Sequence, residues 1–150
     1  MALDWLKNRF NEVSANLKTE VTKIRNKTFL DGVVAGCVLV AYADGTVKPE
    51  EKQKMMGFLQ TSDVLSVFDI KDVITTFEKF AKNFEFDYAI GEANALQTIG
   101  KIKGKESEAR LMVRVCCAIG AADGDFDDDE KAAVRKICGE LGLNSKDFDL

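Results

Sequence analysis

Apolar residues recur at steps of three and four from one end of this 150-residue chain to the other, the period of an α-helix and not of a strand. Leu3, Leu6, Phe10, Val13, Leu17, Val21 and Ile24 predict a first helix over about residues 2–26. A second is expected from about Phe29 to Ala43 and a third from Pro49 to Leu59. Asp69, with Asp72 three positions on, resembles a capping box with Asp in place of Glu, opening a helix that buries Ile70, Val73, Ile74, Phe77 and Phe80. Asp87 can cap the next, with Tyr88, Ile90, Ala93, Leu96 and Ile99 on its apolar side. Glu106 to Ala122 and Asp128 to Leu141 complete the set, and Gly142 fits the left-handed position that follows a helix. Phe84 to Tyr88 alternates like a strand, but the run is short and has no partner. The expectation is an all-α, single-domain bundle of about seven helices over residues 1–150, a length that buries about 68–70% of the surface an unfolded chain exposes.

One repeat organises this helical text. Residues 37–52 read CVLVAYADGTVKPEEK and residues 116–131 read CCAIGAADGDFDDDEK. At a constant offset of 79, Cys, Ala-Asp-Gly and Glu-Lys coincide, and Val47 pairs with Phe126. Each copy is an apolar helix rich in small residues, an Asp-Gly turn and a second amphipathic helix. This predicts two helical hairpins, about residues 29–60 and 106–141, related by a pseudo-two-fold. Gly36, Ala41 and Ala43 in one, with Ala118, Gly120 and Ala122 in the other, would permit close helix approach.

The turns are strongly acidic. Residues 123–130 hold Asp123, Asp125, Asp127, Asp128, Asp129 and Glu130, and residues 44–51 hold Asp44, Glu50 and Glu51 against Lys48. Nine acids and one base leave −8 in these turns, twice the −4 of the whole chain. Helix capping explains part of this: Asp127 has the form of an N-cap with Glu130 as its reciprocal partner, and first-turn acids meet the positive end of the helix dipole. Pro49 sits where the first helical residue should be, the one helical position that suits it. Asp44 and Asp123 are not explained that way, because they close the preceding helix, where the dipole disfavours an anion. Asp125 adds charge to a turn that neutral residues would serve.

Like charges about 4 Å apart repel by ~1 kcal/mol in water and ~4 kcal/mol at an effective dielectric of 20. Such a cluster either stays solvated or is neutralised by a divalent cation bound through oxygen. The spacing is not an EF-hand, because Asp128 stands where glycine is required and Val134 where glutamate is required. The symmetric quartet Asp44, Glu51, Asp123 and Glu130 is the expected ligand set, with Asp125 and Asp127 as auxiliaries. From ligand hardness the ion would be Ca2+, Mg2+ or Mn2+.

Composition narrows the remaining chemistry. With no histidine, Ser-His-Asp and Cys-His triads and histidine-ligated zinc or haem are excluded. The acidic balance argues against nucleic acid as a partner. A metal-dependent hydrolase would lack a Gly-rich phosphate loop and a nucleophile motif, so the chain is expected not to be an enzyme. Cys37, Cys116, Cys117 and Cys138 make no CxxC pair and sit in apolar helical patterns, as small buried hydrophobes of a reducing compartment do. A Cys37–Cys116 pairing is disfavoured on the same ground. The longest uncharged apolar run, Val33 to Ala43, has eleven residues against the roughly 20 a membrane span needs. Asp4, Lys7 and Arg9 interrupt any signal-peptide core, so a cytoplasmic protein is expected.

Charge is unevenly shared. Residues 1–27 carry six bases and three acids, a net of +3 that leaves −7 for the rest. This first helix can be a docked helix covering the core. Its tip, with Trp5, Lys7, Arg9 and Phe10, can instead meet an anionic membrane surface or an acidic partner.

ADGTVKPEEKQKM and ADGDFDDDEKAAVRKI, spaced as they are, resemble the two signature hairpins of TerB, the tellurite-resistance protein family. The resemblance extends to the basic amphipathic start and the FEFD segment. It implies an all-helical cytoplasmic protein of a bacterial stress response, a divalent-metal site at the acidic turns, and association with the membrane protein TerC, which would place it peripherally at the inner face of the membrane. Carried over by position, the acidic residues are again Asp44, Glu51, Asp123 and Glu130. Lys48 stands where the second turn has Asp127, which favours a single shared site, or one strong and one weak, over two equivalent ones. The functional expectation is a non-enzymatic metal-binding scaffold or sensor. The alternative is a pure protein or membrane interaction module.

Overall fold

A computed structural model describes residues 16–22, 26–43, 45, 49–61, 65–121 and 126–150. Its helices are α1 over residues 16–22, α2 (Lys27–Ala41), α3 (Pro49–Thr61), α4 (Ile70–Phe86), α5 (Tyr88–Gly100), α6 (Glu106–Gly120) and α7 (Asp128–Leu141), followed by a 3-10 turn (Ser145–Phe148). No strand occurs among the described residues, so the all-α expectation holds. Phe84 to Phe86, which alternates like a strand, is the last turn of α4.

The sequence repeat extends to three of the four helix limits, α3 and α7 ending out of step at Thr61 and Leu141. α2 and α6 are each 15 residues long, and Lys27, Ala41 and Pro49 precede Glu106, Gly120 and Asp128 by the same offset of 79. In both copies the second helix packs on the first.

α2 is the axis of the core. Eleven of its fifteen residues are buried, and it packs against α3, α4, α5, α6 and α7. A helix apolar on every side is stable only when surrounded by other elements, which explains the eleven-residue apolar run without a membrane. No helix among the described residues is long and apolar enough to cross one. Asn26 starts α2 by accepting a hydrogen bond from the Phe29 backbone N–H at 2.8 Å. This helix therefore begins at Lys27, ahead of the expected Phe29, and the Asn three residues before Phe29 was the available signal.

α4 lays Val73, Phe77, Phe80 and Phe84 into the core, while Ile70 is 47% exposed at its first turn, contrary to expectation. Asp69 caps α4, yet its side chain accepts from the Lys71 N–H at 2.9 Å, while the Asp72 N–H goes to the Asp69 carbonyl at 3.0 Å. An Asp side chain at the third helical position is one methylene shorter than the Glu of a capping box. Asp87 then ends α4 and, accepting from Ile90 N–H at 3.1 Å, starts α5.

The buried face of α5 is Gly91, Ala95 and Ile99, and Ile90 and Ala93 are exposed against expectation. The cause is the one-residue corner at Asp87, which presses α5 onto α4. A Cβ on Gly91 would lie 2.5 Å from the Phe84 Cγ and 2.7 Å from its Cα, so only glycine lets the helices come this close. All four cysteines are free and buried, as the sequence implied.

Candidate functional site: the acidic turns

The first turn grows from the end of α2. Tyr42 caps that helix and is fully buried, its ring edge-on to Phe84 at 5.6 Å, and Phe84 meets Tyr88 the same way at 5.3 Å. This aromatic row anchors the chain just before Asp44. Gly45 then adopts φ +83° and donates its N–H to the Tyr42 carbonyl at 3.0 Å. Among the described residues no atom lies within 4 Å of the position a Cβ would take there, and the positive φ itself favours glycine in the Asp-Gly turn. α3 starts at Pro49, the expected first helical position, with Glu50 exposed beside it. Lys52 reaches Glu85 at the end of α4 at 3.1 Å.

The second turn leads into α7 through a complete capping box. Asp127 Oδ1 accepts from the Glu130 N–H at 2.8 Å, and Glu130 Oε1 accepts from the Asp127 N–H at 3.4 Å. Both carboxylates are thereby held at the positive end of α7, with Asp128 and Asp129 exposed in the same first turn. Phe126 packs partly buried on the core and fixes the approach to this helix. Capping alone accounts for Asp127 and Glu130. Changing Asp127 to alanine without added metal should cost about 1 kcal/mol and lower Tm by about 2–4 °C at this chain length, read by thermal unfolding.

Asp44, Asp123 and Asp125, and the side chain of Glu51, lie outside what the structure describes, as do Trp5, Lys7, Arg9 and Phe10. Among the described residues, no group of three or more Asp, Glu or Cys is arranged to hold a metal ion. The donors fixed near the second turn are carboxylate oxygens, which suit a hard divalent cation and not a soft one. Of the +3 segment, α1 and residues 26–27 are described; in α1 Leu17 and Val21 are buried in the core and Glu20 lies 3.5 Å from Arg114 of α6. At least this part is a docked helix.

Residues 30–150 match the family model described as Tellurite resistance protein TerB, a span that contains both acidic turns and nearly all of the bundle. The chain belongs to the TerB family. It is 38% identical over 112 residues to the Tellurium resistance protein TerB of Alcaligenes sp, an alignment covering 75% of this chain and 92% of that relative. No solved structure matches. The TerB match begins at Leu30 and so leaves out the basic amphipathic start, to which the sequence resemblance extends.

Proposed function

We propose that this TerB-family chain is a non-enzymatic, cytoplasmic scaffold or sensor of tellurite resistance whose two acidic turns together bind one divalent cation. The supporting observation is the duplication itself: two Asp-Gly turns at one offset, carrying −8, each lead into the N-terminus of a helix of the family's bundle. Asp44, Glu51, Asp123 and Glu130 would supply the carboxylates, with Asp125 and Asp127 beside them. The ion, Ca2+, Mg2+ or Mn2+, would neutralise a cluster that otherwise repels itself.

Thermal unfolding in millimolar Ca2+, Mg2+ or Mn2+ tests this. A ligand at 100 times its Kd stabilises the native state by about 2.7 kcal/mol, so one of these ions should raise Tm by about 5–10 °C. The Asp44→Ala/Asp123→Ala double variant should not respond. An equal rise in wild type and variant would overturn the assignment.

The amino-terminal tip is the proposed contact with an anionic membrane surface or with the membrane protein TerC. Burial of Leu17 and Val21 supports it, because it anchors the helix from which Trp5, Lys7, Arg9 and Phe10 would extend. Removing residues 1–15 should abolish flotation with anionic vesicles and leave the cation response intact.

A further inference from the structure

Three helices bring thiols together in the core, away from the acidic turns. Cys116 on α6 points its sulfur at the Val33–Cys37 turn of α2, next to Cys37, and each of the two thiols is 1% exposed. Cys116 also donates to the Val33 carbonyl at 3.8 Å. A Cβ on Gly36, the neighbour of Cys37, would lie 2.7 Å from the Cys116 Sγ. α2 and α6 therefore meet at this level with no side chain between the Gly36 backbone and the Cys116 sulfur. Cys37 and Cys116 are also equivalent positions of the repeat, 79 residues apart, so the duplication sets its own two thiols against each other. Cys117 on α6 and Cys138 on α7 are the next thiols, each near enough to Cys116 to be influenced by it.

We propose that Cys37 and Cys116 form an internal dithiol which a peroxide-class oxidant converts to a disulfide stapling α2 to α6. One sulfur attacks the peroxide, the O–O bond breaks, and a sulfenic acid and water form. The second sulfur then displaces the sulfenic oxygen as water. In sum, two thiols and one hydrogen peroxide give one disulfide and two waters, with two electrons passing from sulfur to oxygen.

The closed core restrains this reaction. Interaction with the neighbouring Cys37 thiol, followed by burial, pushes the Cys116 thiol up, and burial pushes Cys138 up to about 11. Neutral thiols are poor nucleophiles, so oxidation proceeds through local opening of the α2–α6 contact. The result is a slow response to sustained oxidant, not a fast one. It is independent of the cation site, and its chemistry needs none of the acidic residues.

The test is to incubate the full chain with millimolar hydrogen peroxide for hours and measure its intact mass. The expected product has lost two hydrogens. Its unreduced tryptic digest contains the Cys37 peptide joined to the Cys116–Cys117 peptide, with fragmentation placing the bond on Cys116. Closing a loop of this length should raise Tm by about 9–18 °C, reversibly with reductant. Cys116→Ser should lose the cross-link while keeping its helical circular dichroism, and Cys37→Ser serves equally if that variant does not fold. A cross-link through Cys117 or Cys138 would overturn the proposal. So would sulfinic acid without a cross-link, or an unchanged mass under conditions that oxidise the urea-unfolded chain.

Discussion

Phe77→Ala is expected to cost about 3–5 kcal/mol of stability, a large fraction of the roughly 5–15 kcal/mol that holds a domain folded. Phe77 is fully buried at the middle of α4, one turn from Phe80 and two from Phe84, where α4 packs on the central helix α2. Truncation removes the transfer energy of the ring and leaves a cavity between helices that cannot easily collapse onto it. Urea unfolding should show a lower midpoint with an unchanged slope, meaning lost stability and not a changed unfolded state. A loss below about 1 kcal/mol would show that the bundle closes around the cavity, contrary to this packing.

Gly91→Val should destabilise by about 3 kcal/mol or more, at the upper end of what overpacking costs. The new Cβ would sit 2.7 Å from the Phe84 Cα and within 2.8 Å of two atoms of its ring. A flexible side chain could swing away, but a backbone atom cannot. Relief requires α5 to lift from α4, and the single-residue corner at Asp87 leaves no slack for that. Gly139→Ala is the control: it lies inside α7 with no described residue within 4 Å of the added methyl, so it should stabilise by up to about 1 kcal/mol. Opposite signs for the two substitutions, read by the same unfolding curves, would separate the packing cost from helix propensity. Equal signs would contradict it.

These two positions also mark where the sequence was legible. The three-and-four spacing located the inner face of α4 at Val73, Phe77 and Phe80, because large apolar side chains define a stripe by themselves. On α5 it placed Tyr88, Leu96 and Ile99 against the core but misplaced Ile90 and Ala93 and passed over Gly91, where the deciding contact is a close approach that glycine permits by lacking a side chain. Ile70 failed for a related reason: a first-turn residue has the right spacing but overhangs the end of the packed face. Caps were readable at Asp87, Asp127 and Gly142, where one side chain or one φ angle satisfies the helix end locally.

The candidate site was legible as charge and spacing, since −8 in two matched turns can be counted directly. Its three-dimensional form was legible only where a hydrogen bond fixes it, at the Asp127–Glu130 box. The duplicated cysteines were visible as a pair at the repeat offset, but their contact depends on Gly36 admitting the Cys116 sulfur, a long-range fact that no local pattern carries.

The most direct test of the paired-turn cation site is a calcium titration of uniformly 15N-labelled protein, followed residue by residue by NMR, with Mg2+ and Mn2+ in parallel. For at least one of these ions, saturable changes should be confined to residues 43–51 and 122–131, reach both turns at the same ion concentration, and vanish in Asp44→Ala/Asp123→Ala. Non-saturating shifts with all three ions, spread over exposed carboxylates such as Glu140 and Asp147, would contradict it and leave the acidic turns as a solvated, helix-capping surface.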